Sequence, residues 1–179
     1  MKLRFVSKLV AAGMLSLAIG TLGVQVARAQ RPVFLLEQQC VNVGGGYWGG
    51  IDKVIHVGGQ LYQSVMQMYP VSYDRPATMV CRTTPFGEAP RFQTLNLEFG
   101  KASSVAGSPV VVTVWLDGNQ VASQSVAAGE VKSLVVNVGQ ARNIALQTSC
   151  LNSENCSQDM AWFFKAQLEP TAASSSNSQ

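Results

Sequence analysis

One histidine, His56, is the chain's whole supply of imidazole, and it stands between Ile55 and Val57 in an apolar run. Nucleophilic catalysis needs a base within hydrogen-bond reach of the nucleophile. A histidine in a predicted strand reads as a packed or surface residue instead. No serine sits in a G-x-S-x-G elbow. Asp and Glu number 10 in 179 residues, and no spacing selects the pair that a glycosidase sets across its cleft. All of them are expected on solvated surface. There is no G-x-x-x-x-G-K-[ST] and no EF-hand loop. The run Gly44–Gly50 lacks the Lys-Ser/Thr and the following helix of a phosphate cradle, and reads as a mobile loop. No Cys-x-x-Cys accompanies the lone histidine, which argues against zinc. No catalytic residue, metal ligand or cofactor is expected.

Basic clusters and long apolar runs are scarce beyond the N-terminus. Lys2, Arg4 and Lys8 form a basic head, Leu9 to Gly23 is uncharged, and Ala27-Arg28-Ala29 follows. Positive head, apolar middle and Ala-x-Ala end describe a secretory signal peptide, residues 1–29, cleaved after Ala29. The apolar stretch to Val26 is 18 residues, at the lower edge of the roughly 17–25 that a spanning helix needs, and it is interrupted by glycines. The chain carries 13 Lys and Arg; without Lys2, Arg4, Lys8 and Arg28 the remainder has 9 basic against 10 acidic side chains, net −1. That balance lacks the electrostatic footprint of a nucleic-acid binder. No later run is long enough to cross a bilayer, so no membrane contact is expected after cleavage. The predicted location is secreted or periplasmic.

What is present is a single β-rich domain. Residues 30–170 are expected to form it, and Thr171–Gln179, all small or polar, a disordered tail. The cysteines Cys40, Cys81, Cys150 and Cys156 all follow the leader, and an even count in an exported chain predicts disulfides. Three pairings are possible. Cys150–Cys156 with Cys40–Cys81 is favoured because the first pair brackets one short polar loop. Nowhere does apolar spacing follow a helix. It alternates, or runs in short blocks between Gly, Pro, Asn and Asp. Val110–Leu116 is β-branched almost throughout and ends in Asp117-Gly118, a hairpin signal because glycine accepts positive φ. Further strands are predicted over 120–126, 131–138, 144–148 and 92–99, the one over 92–99 setting Phe92, Thr94, Asn96 and Glu98 opposite Gln93, Leu95, Leu97 and Phe99. A last one sets Trp162, Phe164, Ala166 and Leu168 opposite Phe163, Lys165 and Gln167. Trp162 is then a core residue, while Trp115 lies on an outer sheet face. Short strands at this spacing predict a β-sandwich or jelly roll.

Several segments carry a family resemblance. Val112 to Val121, with Asp117-Gly118 at its turn, looks like the V-x-V-x-x-DG-x-x-L/V hairpin of NPCBM, the carbohydrate-binding module found beside the catalytic domain of glycoside hydrolase family 98. Leu134–Gly139 with Asn143–Leu146 is similar to its next strand pair. Asp159 and Trp162 within Gln158–Leu168 resemble its closing element, and Val57–Tyr62 its GG-x-x-Y segment. The resemblance implies an all-β, galactose-binding-domain-like jelly roll that binds a glycan or polysaccharide. Val65-Met66-Gln67-Met68 stands where the family usually has glycine and histidine. That departure keeps a second reading open: the same fold as a structural or protein-interaction module of the cell envelope.

Sugars are held by aromatic faces, with amide, carboxylate and guanidinium groups taking the hydroxyls. Two segments offer that mixture. Tyr47 and Trp48 lie in the glycine-rich run, and Tyr69, Tyr73, Asp74 and Arg75 lie in a loop-like stretch broken by Pro70. These six are the candidate ligand-binding residues.

Overall fold

The structure is a computed structural model describing residues 31–105, 107–151, 156 and 159–171. The predicted leader, and all of the predicted tail beyond Thr171, lie outside the described residues. The strands are β1 (Val33–Phe34), β2 (Gln39–Asn42), β3 (Tyr47–Val57), β4 (Gln60–Tyr69), β5 (Ala77–Arg82), β6 (Phe92–Gly100), β7 (Val110–Leu116), β8 (Asn119–Val126), β9 (Val131–Asn137), β10 (Asn143–Cys150) and β11 (Ala161–Pro170). They form two antiparallel sheets. One runs β3-β4-β11-β6-β9, with β1 also paired to β11; the other runs β2-β5-β10-β7-β8. This is the all-β sandwich that the alternating pattern predicts.

Alternation builds the core. Leu95, Leu97 and Phe99 of β6, Met66 and Met68 of β4, and Ala166 and Leu168 of β11 meet Val110, Val112 and Val114 of β7, with Ile144 and Leu146 of β10 and Met79 of β5. Polar neighbours on the same strands face out: Gln147 and Thr78 lie between buried residues. The β7–β8 turn follows the expected chemistry, with Asp117 at φ 47° and Gly118 at φ 87°.

Three expectations are corrected. First, the glycine-rich run is not a loop throughout: β3 begins at Tyr47, opposite Tyr69. Gly44–Gly46 turn the chain from one sheet into the other. A Cβ on Gly44 would stand 2.6 Å from the Thr78 backbone nitrogen, and one on Gly46 2.5 Å from the Tyr69 carbonyl oxygen. Close backbone approach, rather than mobility, is what these glycines serve. Second, β11 does not alternate uninterrupted. Its register with β6 shifts between Phe163 and Lys165. The extra residue keeps Lys165 out of the core and lets Phe163 share the inward side with Ala166 and Leu168. Trp162 is buried, but in a second cluster with Ile55, Val57 and Ala102, alongside Phe164 and Tyr62. Third, Phe92 does not lie opposite Leu95. A shift near Pro170 brings both into the core.

Both favoured disulfides form. Cys40 and Cys81 are direct cross-strand partners that rivet the edge strand β2 to β5. A bridge closing a separation of 41 residues stabilises by about 4 kcal/mol when loop entropy dominates. The double variant Cys40→Ala/Cys81→Ala should lower unfolding free energy by roughly 2–4 kcal/mol in urea denaturation. An unchanged midpoint would show β2 held by its ladder alone.

Candidate functional site

Tyr47 and Tyr69 are brought together. Their rings stack with centroids 5.1 Å apart and planes inclined by 29°. They lie on the side of the β3–β4 pair opposite Trp48 and Met68, and Tyr47 is 46% exposed. A Cβ on Gly49 would come within 2.7 Å of the Tyr47 hydroxyl, so glycine there lets the ring lie along the strand. Arg75 extends over the neighbouring corner: a Cβ on Gly45 would stand 3.1 Å from its Nε. Two stacked phenols form a shallow shelf at the end of the six-stranded sheet, with Arg75 at the glycine corner that leads into it.

Placements around this shelf differ from the loop-like expectation. Tyr69 belongs to β4 rather than to the loop after it. Val71–Arg75 is a tight turn, closed by Arg75 N donating to Ser72 O at 3.1 Å and Val71 N donating to Arg75 O at 3.1 Å. Tyr73, 66% exposed, and Asp74 occupy its tip, where the Ser72 hydroxyl donates to Asp74 Oδ1 at 2.6 Å. Trp48 packs against the main core. Its indole face is therefore engaged by protein, and its Nε1 is buried without a hydrogen-bond partner.

The feature that sequence reasoning missed lies beneath these turns. Lys101 is 0% and Asp159 4% exposed, with Nζ to Oδ1 at 2.6 Å. The same ammonium donates to Ser108 O at 2.6 Å. Asp159 thus departs from the expectation of ten solvated carboxylates. From Asp159 the connection runs outward. Its N–H donates to Cys156 O at 2.7 Å, and Cys156 N–H donates to Val71 O at 3.1 Å. The turn bearing Tyr73, Asp74 and Arg75 is anchored through that relay. Cys150, Cys156 and Asp159 place potential metal-ligand atoms within 4.8 Å of one another. The two sulfurs are bonded to each other and the carboxylate is taken by Lys101, so the group holds an internal cation already. A pair 58 residues apart in the chain has no local sequence signal; a lysine followed by a run of small residues is the most that could have marked it.

No family model matches the chain, and no curated protein matches it. Solved structures do. The second CBM51 module with its INT domains from Clostridium perfringens ZmpB, in complex with GlcNAc, aligns at TM-score 0.59 and 17% identity over 82% of this chain and 33% of that one. The CBM51 module of a Clostridium perfringens GH95 protein, in complex with methyl-galactose, aligns at TM-score 0.58 and 14% identity over 77% of this chain and 99% of that one. The chain therefore spans about a third of the first and almost all of the second. The fold is that of CBM51 modules: a galactose-binding-like β-sandwich.

Removing one partner of the buried pair strands an uncompensated charge. Lys101→Met or Asp159→Leu alone should cost about 3–5 kcal/mol in urea unfolding, and the double variant should recover most of it. Equal losses in the single and double variants would show that packing, not charge, dominates there.

Proposed function

We propose that the chain is an exported, non-catalytic glycan-binding module of the kind associated with glycoside hydrolase family 98. In this reading residues 1–29 form the leader and 30–170 the binding domain, acting in a secreted or periplasmic location. The observation that carries it is the Tyr47–Tyr69 shelf beside Arg75, on a sandwich whose structural neighbours include modules solved with GlcNAc and methyl-galactose. An exposed aromatic stack takes the C–H face of a pyranose, and the guanidinium and the Asp74 carboxylate take hydroxyls at its edge. His56 is exposed on β3 opposite Leu61, and the nearby Ser103, whose N–H donates to His56 O at 3.1 Å, has its hydroxyl oxygen accepting from Gly58 N at 2.9 Å. Of the six candidates, Tyr47, Tyr69 and Arg75 form the proposed contact surface, Tyr73 and Asp74 its rim, and Trp48 its support from below.

The rival reading, an envelope module that binds protein, draws on the exposed apolar side chains Phe86 at 84%, Val135 at 72% and Leu61 at 73%. These three lie on separate elements of the fold, which favours the glycan reading. Retention of the exported protein on a polysaccharide panel separates the two. Tyr47→Ala and Arg75→Ala should each weaken binding about tenfold, near 1.4 kcal/mol, whereas Trp48→Ala should chiefly lower stability. No retention on any glycan, together with a specific protein captured from envelope extract, would move the function to the rival reading.

A further inference from the structure

We infer that the outer face of the five-stranded sheet carries a second saccharide site, built on Trp115 and selective for a neutral sugar chain. The inference rests on the glycan-binding reading above but concerns a different sheet and different residues. Val112 and Val114 of β7 point into the core with no exposure. A register shift follows between Val114 and Trp115, and Trp115 is half-buried on the outer face. It pairs with Ala145, which pairs in turn with Val80, and Val80 with Val41. An apolar row thus crosses four adjacent strands, three spacings of about 4.8 Å each. Its indole end is the floor of a groove of about 400 Å³, within the roughly 300–1,000 Å³ of small-ligand sites.

Hydrogen-bonding groups flank the row on both sides. Along one side Gln147 lies between Thr78 and Thr113 in the ladder, and its Nε2 donates to Thr78 Oγ1 at 3.2 Å. That bond sets the amide's direction and leaves its carbonyl oxygen to accept. Along the other side stand Asn143 and Asp117. Asp117, held at positive φ, accepts from Asn143 N at 2.9 Å, Asn143 Nδ2 at 3.1 Å and Arg142 N at 3.1 Å. The groove walls are therefore fixed by bonds to a turn and a ladder rather than by free rotors, which lowers the ordering cost of binding.

The chemistry of this lining selects its occupant. Asp117 is the one charged residue that lines the groove, and its oxygens already accept several N–H groups; Arg82, the cross-strand partner of Asn143 on the same face, lays its guanidinium over the Phe86 ring, 4.3 Å from the centroid, so it is already engaged outside the groove. No lysine or arginine lines it, which argues against nucleic acid. The floor is far smaller than the roughly 800 Å² per partner of a stable protein interface. An indole face between an amide–hydroxyl row and an amide–carboxylate row complements one ligand class: a ring with an apolar C–H face and a rim of hydroxyls. The row continues to Val41, 58% exposed. The groove therefore admits an internal stretch of a neutral polysaccharide, lying across the strands.

Titration of the exported protein with neutral cello-, xylo-, galacto- and chito-oligosaccharides, read by the Trp115 indole N–H resonance, tests the inference. We expect that resonance to shift, and Trp115→Ala to weaken binding at least tenfold with an unchanged far-UV spectrum. Gln147→Ala should weaken it severalfold. Should Trp115→Ala fail to fold, the indole shift in the unaltered protein decides alone. A saccharide that binds without moving the Trp115 resonance, and whose binding falls with Tyr47→Ala, would overturn this site and leave the glycan reading standing. Absence of binding by every saccharide, soluble or polymeric, would overturn both.

Discussion

Lys101 holds the crossing of the two sheets. It follows the last residue of β6, bonds the carbonyl of Ser108 just ahead of β7, and pairs with Asp159 just ahead of β11. Three segments serving both sheets therefore converge on one buried ammonium. Taking two charges out of water costs several kcal/mol each, and their attraction repays this only with good geometry and further hydrogen bonds. The carbonyl of Ser108 is such a bond. Gly107 has a related role. A Cβ there would stand 2.5 Å from Asp159 Oδ1, and its φ of 146° suits glycine alone. Such a pair contributes little net stability compared with an apolar substitute. What it imposes is geometry, because only one arrangement of the three segments satisfies both charges.

That geometry reaches the proposed contact surface. The relay from Asp159 through the Cys156 backbone ends on Val71, at the base of the turn that projects Tyr73, Asp74 and Arg75. The glycine corner completes the shelf from the other side, since only residues without Cβ let the chain pass between Tyr69 and Ala77 before Tyr47 joins the sheet. The shelf is thus set by close backbone approach on one flank and by a buried charge on the other. Neither constraint lies in the aromatic residues themselves.

How much was legible follows from the same distinction. Val110–Leu116, its Asp117-Gly118 turn and the strand after it could be read because β-branched alternation and a turn requiring positive φ are local signals. The outward position of Trp115 followed from that alternation. The short spacing of Cys150 and Cys156 was local too. The faces of Trp162 and Phe164 were misread because one extra residue in β11 reverses every assignment before it, and nothing in Trp-Phe-Phe-Lys announces the bulge except the need to keep Lys165 from the core. Trp48 looked like a ligand-facing aromatic because glycines surround it. Those glycines instead serve the crossing, and pairing with Met68 turns the indole inward. Lys101 and Asp159 were invisible for the simplest reason: their partnership exists only after both sheets have formed.

The two proposed surfaces, shallow and on different sheets, have a thermodynamic consequence. A shelf or groove open to solvent buries only one side of a sugar ring, and an aromatic contact contributes on the order of 1 kcal/mol beyond burial. Either surface alone would hold a soluble monosaccharide weakly. On a polymer, engagement of the first surface raises the effective concentration of sugar at the second, and avidity exceeds either affinity by about 10²–10⁴ when geometry permits both. Such openness is then no obstacle to the proposed binding. It suits a ligand that is long, repetitive and fixed in place, for which two modest contacts on a rigid sandwich outperform one enclosed site.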